Sequence, residues 1–499
     1  MPRHPAPEGV AHDPWRGLGV LCVAMFISAM DMTIVNVALP EMSGDLDAGI
    51  GELQWVIDAF LVSLAGLLLV GNGLADRFGR RRVFLTGLAG FAAASALAAA
   101  SQTVGGVIAA RVLMGVAACC VLPPALSLLT VLFQPELRPK AVGIWSGVGG
   151  LGLALGPVIG GVLVDLAGWR WVFLVNVPFA LLALPLGLRW LPESHRPGVP
   201  PLDLPGVALS TLALGGIVFA LIEGVDAGWT DGAVLAAGAT GVAAAAAFLA
   251  TELRRRHPLF DVRVLARART AAGALAILAA YIATLGMLFL LPQYVQYVQD
   301  ASAFASGLEL APFGAGLGIF AALSGRFVGR WGSRTVLITG LLVGAAGYVP
   351  LLLLSGDSPP ALVMLGAAIV GCGFGVTVPS GTAVVMNDLG SEKAGDGAAV
   401  NQLARQIGGA LGVAIIGSVF AAIYAAEVSA GGDVPAAAEE SIEDATDLAG
   451  RLHGAAGADL LNDAVTSFDV AAGWSFAVCM GIVLVSAATA AAALSRTSG

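Results

Sequence analysis

The 499-residue sequence predicts an all-α protein that crosses a membrane fourteen times. Three observations predict it. The chain is 57% hydrophobic and 12% charged, its mean hydropathy is +0.86, and long apolar runs recur from end to end. No soluble domain of this size reads that way. The basic residues fall in alternate connections between the runs, as loops on the cytoplasmic side do. The chain also repeats itself about half its length apart, and parallel repeats of six spans build one large class of transporters.

The runs lie near 17–40, 52–74, 83–102, 104–130, 141–165, 171–191, 204–224, 232–252, 270–295, 306–328, 335–355, 360–386, 401–426 and 471–494. Each is long enough for a bilayer at about 20 residues per crossing. Ala and Gly dilute the seventh and eighth. With the N-terminus inside, the even-to-odd connections are cytoplasmic. They hold Arg77, Arg80, Arg81 and Arg82, then Arg138 and Lys140, then Arg189 and Arg196. They continue with Arg254, Arg255, Arg256, Arg263, Arg267 and Arg269, with Arg326, Arg330 and Arg334, and with Lys393. Only Arg170 and Arg451 fall outside the pattern, while Arg111 and Arg405 lie within spans. Losing one span would break the alternation downstream. The outer connections are acidic: Glu41, Asp45, Asp47 and Glu52 follow the first span. The longest, about 427–470, reads as a solvated acidic loop whose Ala-rich pattern suits an exposed helix.

The repeat fixes the domain organisation. LADRFGRRRVFLTG begins at Leu74 and FVGRWGSRTVLITG at Phe327, an offset of 253. Leu39-Pro40 recurs as Leu291-Pro292, and the run ending at Pro123 resembles the run ending at Pro379. Six plus six spans leave two over, and the seventh and eighth are the natural insertion. The expected order is a cytoplasmic tail (1–16), an N-terminal six-helix bundle (17–191), a linker with two extra helices (192–256), a C-terminal six-helix bundle (257–494) and a tail (495–499).

Several function classes drop out. The five cysteines lie in apolar runs without metal-ligand spacing, so they read as small core residues. The five histidines all fall outside the runs. There is no nucleophile motif, no metal spacing and no G-x4-G-K-[ST] loop, so an enzyme, a cofactor, a metal and ATP are not expected. Residues 1–16 show no signal peptide.

The residues that carry chemistry are ionisable groups inside spans. The first span, GLGVLCVAMFISAMDMTIVNVALP, contains Asp31 and Asn36. A carboxylate there costs at least ~2.5–3.5 kcal/mol on insertion scales and must face a partner or a watered cavity. Asp31 reads as a proton or cation site, the alternative being a helix-packing hydrogen bond. Asp58 lies six residues below Glu52, and Arg111 about seven below the start of its run. Asp31 lies nine below Pro40. At ~1.5 Å per residue the three share one level in the outer half of the membrane. The expectation is one watered pocket in the N-terminal half, in which protonation of an acid releases Arg111.

After the second span comes Leu74-Ala75-Asp76-Arg77-Phe78-Gly79-Arg80-Arg81-Arg82. Its tight turn needs Gly79, and Asp76 can accept from a helix N-terminus or pair with a nearby Arg, latching two helices. This loop resembles the signature loop of the major facilitator superfamily, except that Asn72 stands where the pattern usually has Gly. Asp31 to Pro40 resembles the first-helix signature of the fourteen-span drug:proton antiporter branch of that superfamily. In the second-half copy, Gly329 replaces the acid.

Arg111 to Gly115 resembles the family's Arg-containing fourth-helix motif, which the resemblance associates with proton coupling. Gly152, Gly156, Pro157, Gly160 and Gly161 form G-x3-G-P-x2-G-G, which is similar to the antiporter motif and marks export over uptake. The plain reading of these residues is bending and close helix packing.

In the second half Ala283 and Ala367 replace Asp31 and Arg111. The substrate contacts are therefore expected among Asn36, Gln293, Tyr294, Gln296, Glu309, Phe313, Asn401 and Arg405. The resemblance implies a major facilitator fold and proton-coupled efflux of drug-like or antibiotic compounds by alternating access. The expected setting is the cytoplasmic membrane, as a monomer, with both termini cytoplasmic and no nucleic acid partner. A dedicated metabolite exporter, a symporter and a non-transporting receptor are the alternatives.

Overall fold

The structure is a computed structural model that describes residues 13–495, apart from 135, 196–202, 255–260, 391–392 and most of 431–454. Most of both expected tails, and the centre of the expected acidic loop, lie outside the described residues. Among the described residues fourteen helices are long and apolar enough to cross a membrane. They are α1 (Pro14–Leu46), α2 (Ile50–Phe78), α3 (Arg80–Ala100), α4 (Val104–Leu132), α5 (Arg138–Ala167), α6 (Arg170–Trp190) and α7 (Leu204–Asp226). They continue as α8 (Gly232–Arg254), α9 (Ala268–Tyr297), α10 (Ala303–Trp331), α11 (Ser333–Leu352), α12 (Pro360–Leu389), α13 (Ala394–Ala430) and α14 (Ala455–Ser495).

The spans match the expected ones with three differences. α4 breaks at Cys120-Val121, just ahead of Pro123-Pro124. α6 breaks at Val175, ahead of Pro178. In both, proline removes a donor from the ladder. α14 begins at Ala455, not near 471, so the last part of the expected acidic loop is helix. Its Leu460, Ala464 and Phe468 recur every four residues and are buried, while Asp459 and Asp463 face outward.

Packing repeats the sequence. In the first half α1 meets α5 and α6, α2 meets α4, and α3 meets α4 and α6. In the second, α9 meets α13 and α14, α10 meets α12, and α11 meets α12 and α14. These are the same contacts shifted by one half, giving two six-helix bundles. α7 lies against α2 and α13, and α8 packs mainly on α7. Trp55 donates to Glu223 of α7 at 2.9 Å, and Ser418 of α13 donates to the Leu221 carbonyl at 2.6 Å.

The matched loops are matched turns. Gly79 alone separates α2 from α3, and Gly332 alone separates α10 from α11, with φ of 105° and 77°. A side chain at either φ is strained, so a one-residue turn selects glycine. The end of the molecule that carries these turns also carries the clusters of arginine, and is called here the basic end. At the opposite, acidic end, Asp45 accepts from Trp169 at 2.8 Å and from Arg170 at 2.6 Å. That pairing places Arg170, an exception to the charge alternation, against an anion.

The two bundles meet at the acidic end and part at the basic end. Gln296 of α9 donates to the Val37 carbonyl of α1 at 3.1 Å, and Tyr297 to that of Pro40 at 3.4 Å. Asp165 of α5 accepts from the Phe304 amide of α10 at 3.1 Å. A Cβ built on Gly161 would fall 2.7 Å from Phe304 Cα, and one on Gly314 would fall 2.5 Å from Ala154 Cα. One turn further towards the basic end, the same faces of α5 and α10 present Gly150 and Gly318. Neither has anything within 4 Å of a built Cβ, nor do Gly143, Gly147 or Gly325. A cleft between the bundles therefore opens towards the basic end.

Two outcomes follow from the packing. Gly156→Leu drives a side chain into α1 and is expected to lower thermal stability in detergent by roughly 1–3 kcal/mol, the usual scale of overpacking. Gly161→Leu meets Ala303 and Phe304 of the other bundle and is expected to spare stability, and thermal unfolding of the two variants separates the cases. Outside the spans, Lys393 donates to Asp261 at 2.8 Å. That bond holds the Asp261 carboxyl below the ordinary carboxylate range, against a smaller opposing effect of burial. A depressed carboxyl adds stability that is complete above its unfolded value of ~3.9 and is lost as pH falls through the folded value. Asp261→Asn should therefore cost roughly 0–1 kcal/mol at pH 7, and thermal unfolding should show the difference vanish in strong acid.

Candidate functional site

The N-terminal bundle closes around one ion pair. Asp31 of α1 and Arg111 of α4 meet with Nη1 to Oδ2 at 2.5 Å, both side chains at most 1% exposed. The other Asp31 oxygen accepts from Asn176 of α6 at 3.1 Å. The same amide donates to Ser95 of α3 at 3.1 Å, and Ser95 donates to the Phe173 carbonyl at 2.7 Å. On the other side, Arg111 Nε donates to the Val56 carbonyl of α2 at 2.8 Å, and its guanidinium lies 4.5 Å from the Phe60 ring centroid. A guanidinium at this depth needs an anion and carbonyls, and here it has both. Five helices contribute to one charged cluster.

Sequence reasoning placed Asp31 and Arg111 together and missed Asn176, Ser95 and Phe60. Asn176 carried a usable signal, a lone amide within the apolar VFLVNVPFALL. Ser95, in an Ala-rich run, carried none beyond ordinary small-residue packing.

Asp58 is not part of this cluster, which corrects the expected three-residue pocket. It is fully buried, and among the described residues neither of its oxygens has a hydrogen-bond partner. Val56 and Phe60 face α4, and a residue two positions along a helix from Val56 is turned by ~200°. Asp58 instead shares a stripe with Gln54 and Leu61, which meet Gly417 and Gly409 of α13. It therefore lies towards the seam with α13 and α7. Equal depth did not fix which way the carboxyl points.

The loop at the basic end is drawn together locally. Asp76 accepts from Arg80 Nε at 3.0 Å and Nη2 at 2.8 Å, across the Gly79 turn. Arg77 lies over the Phe78 ring at 5.9 Å. Glu193, just past α6, accepts from the Arg81 and Arg82 amides at 3.1 and 3.3 Å, capping α3. Asp76 thus pairs with a nearby Arg, one of its two expected modes.

The α5 glycines form two contact lines. Cβ atoms built on Gly152, Gly156 and Gly160 would lie 2.7, 3.0 and 2.8 Å from the carbonyls of Phe26, Met30 and Ile34, one stripe of α1. Gly161 faces α10, and the Pro157 carbonyl abuts Gly307. The motif therefore seats α5 between its own bundle and the other.

The expected substrate contacts divide. Asn36 donates to its own helix at Met32 and Thr33, and Gln293 to Phe289. Tyr294 donates to Asp469 of α14 at 2.8 Å, inside the C-terminal bundle. Gln296 is a clasp across the seam. Phe313 lies 6.3 Å from the Phe374 ring of α12, and Glu309 shares its stripe, with one buried oxygen unpartnered. Asn401 and Arg405 lie one turn apart on α13, with Asn401 Oδ1 and Arg405 Nε buried and unpartnered. Among the described residues no group of three or more His, Cys, Asp or Glu is arranged for a metal.

Known proteins resemble the chain along almost its whole length. A tetracenomycin C resistance and export protein of Streptomyces glaucescens is 34% identical over 98% of this chain and 94% of its own. A puromycin resistance protein of Streptomyces alboniger is 38% identical over 85% of each. The multidrug efflux pump LfrA of Mycolicibacterium smegmatis is 32% identical over 97% and 96%. Among solved structures, a bacterial homologue of the human lysosomal transporter Spinster, inward-facing and unoccupied, superposes with TM-score 0.70 at 18% identity and covers 98% of both chains, a likeness of fold. A sequence profile described as Major Facilitator Superfamily matches residues 21–413, and with these relatives it makes the chain a transporter of that superfamily.

Proposed function

We propose that the chain exports drug-like or antibiotic compounds across the cytoplasmic membrane in exchange for protons. The basic end is cytoplasmic, by the positive-inside rule, and carries the start of α1 and the end of α14. The relatives named for resistance and export support the direction and the substrate class. The observation that carries the coupling is the buried Asp31–Arg111 pair.

Removing one partner of such a pair leaves an uncompensated buried charge, typically worth ~3–5 kcal/mol. Protonating Asp31 does the same without mutation, since it takes away the anion that Arg111 faces. Arg111 keeps the Val56 carbonyl and the Phe60 ring, both on α2, while α1 loses its hold. The relation of α1 to α2 and α4 then depends on one proton. α1 also touches the seam, through the Val37 and Pro40 carbonyls. A proton entering from the acidic end can in this way bias whether the bundles stay closed there. Asp58, buried without a donor at the seam, is proposed as a second proton-accepting group, while the Asp76–Arg80 pairing belongs to the basic-end latch.

Inverted vesicles, a panel of compounds and an imposed pH gradient test the reading. Gradient-driven uptake is expected in the parent, with a loss of roughly tenfold or more in Asp31→Asn and Arg111→Lys, since Lys lacks the fork that holds Asp31 and Val56 together. Asn176→Ala should lose less. Full gradient-driven uptake in Asp31→Asn would remove the coupling role, and no uptake of any compound by the parent would remove export itself. The number of compounds moved also reports whether the site is broad or dedicated.

A further inference from the structure

We propose that the open cleft contains an anion-recognition subsite centred on Arg405, which takes a carboxylate or ionised phenol on the exported compound. This rests on the export reading and specifies the chemistry of its substrate.

The two arginines within spans are treated in opposite ways. Arg111 is buried and has a carboxylate, a carbonyl and an aromatic face. Arg405 is partly buried, its Nε is shielded, and among the described residues it has no hydrogen bond, ion pair or ring contact. Asn401 and Gln406 are 6% and 5% exposed, each with a buried, unpartnered carbonyl oxygen, and neither bonds to another described group through its amide nitrogen. Three neighbouring polar side chains, all without protein partners, would be costly on a helix that served packing alone.

Their position gives them a use. Arg405 is eleven residues into α13, roughly 16 Å from its basic-end start. Gly408 and Gly409, one turn further on, are where α13 touches Leu278 of α9 and approaches Leu61 of α2. On the basic side of that contact the bundles part, so Arg405 lies at the mouth of the α2–α13 seam, on the side where the cleft opens. Asp58, the unpartnered acid on α2, lies on the far side of the Leu61–Gly409 contact and is not its counterion here. A planar fork of donors, flanked one turn away by an amide, suits a bidentate oxyanion.

Purified protein in nanodiscs provides the test, with fluorescein, an acidic dye at pH 7.5, and ethidium, a fixed cation, as probes read by anisotropy. The parent is expected to bind fluorescein. Arg405→Gln should lower the ratio of fluorescein to ethidium affinity at least tenfold, and Arg405→Lys should recover part of it. Asn401→Glu puts a carboxylate one turn from the guanidinium, and by occupying the subsite should lower that ratio to a similar extent in a fold whose charge balance is improved.

A parent that does not bind fluorescein, or an unchanged ratio in Arg405→Gln and Asn401→Glu, overturns the proposal. Vesicle uptake separates it from the export reading. If binding follows Arg405 while no compound moves under a gradient, export fails and the subsite stands. If ethidium moves while acidic compounds neither bind nor move, the subsite fails and export stands.

Discussion

A buried guanidinium in the middle of a helical bundle dictates much of what surrounds it. Arg111 keeps its charge, so at that depth it calls for an anion, which Asp31 supplies, and the pair persists only where its remaining donors and acceptors are met. Val56, Phe60, Asn176 and, behind it, Ser95 meet them. These residues come from α2, α6 and α3, so one charged cluster cross-links five of the six helices in its bundle. The second bundle keeps the same helix contacts with Ala283 and Ala367 at the matching positions, which shows that the architecture does not require the charges. They are an addition to a fold that packs without them, and an addition this costly is kept for what it does.

A dry pair also demands close helices. Glycine supplies that closeness on α5, whose residues 152, 156 and 160 lie on the backbone of α1 while 161 lies on α10. In lipid, where apolar side chains gain nothing by leaving solvent, van der Waals contact at small residues is the main source of association. The stripe therefore works twice. It fixes α1, which carries Asp31, and it sets how the neighbouring line of α5, at Ala154, Pro157 and Gly161, meets the other bundle. That contact ends one turn past Ala154 and Gly314, and the cleft begins there.

Axial features of this design were legible in the sequence. Hydropathy placed fourteen spans, charge alternation ordered them, and the LADRFGRRR and FVGRWGSRT copies marked two turns that prove to hinge on Gly79 and Gly332. The loop and glycine motifs fell where the structure uses them. What was not legible is azimuth. Asp58 has the depth of Asp31 but points elsewhere, because two residues of helix turn a side chain through ~200°. Tyr294 and Phe313 are expected among the substrate contacts, yet Tyr294 bonds Asp469 of its own bundle and Phe313 lies beside the Phe374 ring. Apolar runs also hide a helix's ends when its exposed face is acidic, as at the start of α14, and they hide breaks such as that at Cys120.

The azimuths of α2 explain why two further helices are present. One face of α2, at Val56 and Phe60, receives Arg111. A second, at Gln54 and Leu61, meets α13 across the seam. A third, at Trp55, Val62 and Gly66, meets Glu223, Gly215 and Thr211 of α7. α7 in turn accepts Ser418 of α13. A closed triangle of α2, α7 and α13 thus spans the two bundles on one side, while α5 and α10 join them on the other with no inserted helix beside them. The inserted helices make the two sides unequal. Any rotation that opens the acidic end must shear α7 against α2 or against α13, and Asp58 sits unpaired at that junction. A helix that touches the charge cluster, the seam and the insertion is the one element through which a change at Arg111 reaches all three.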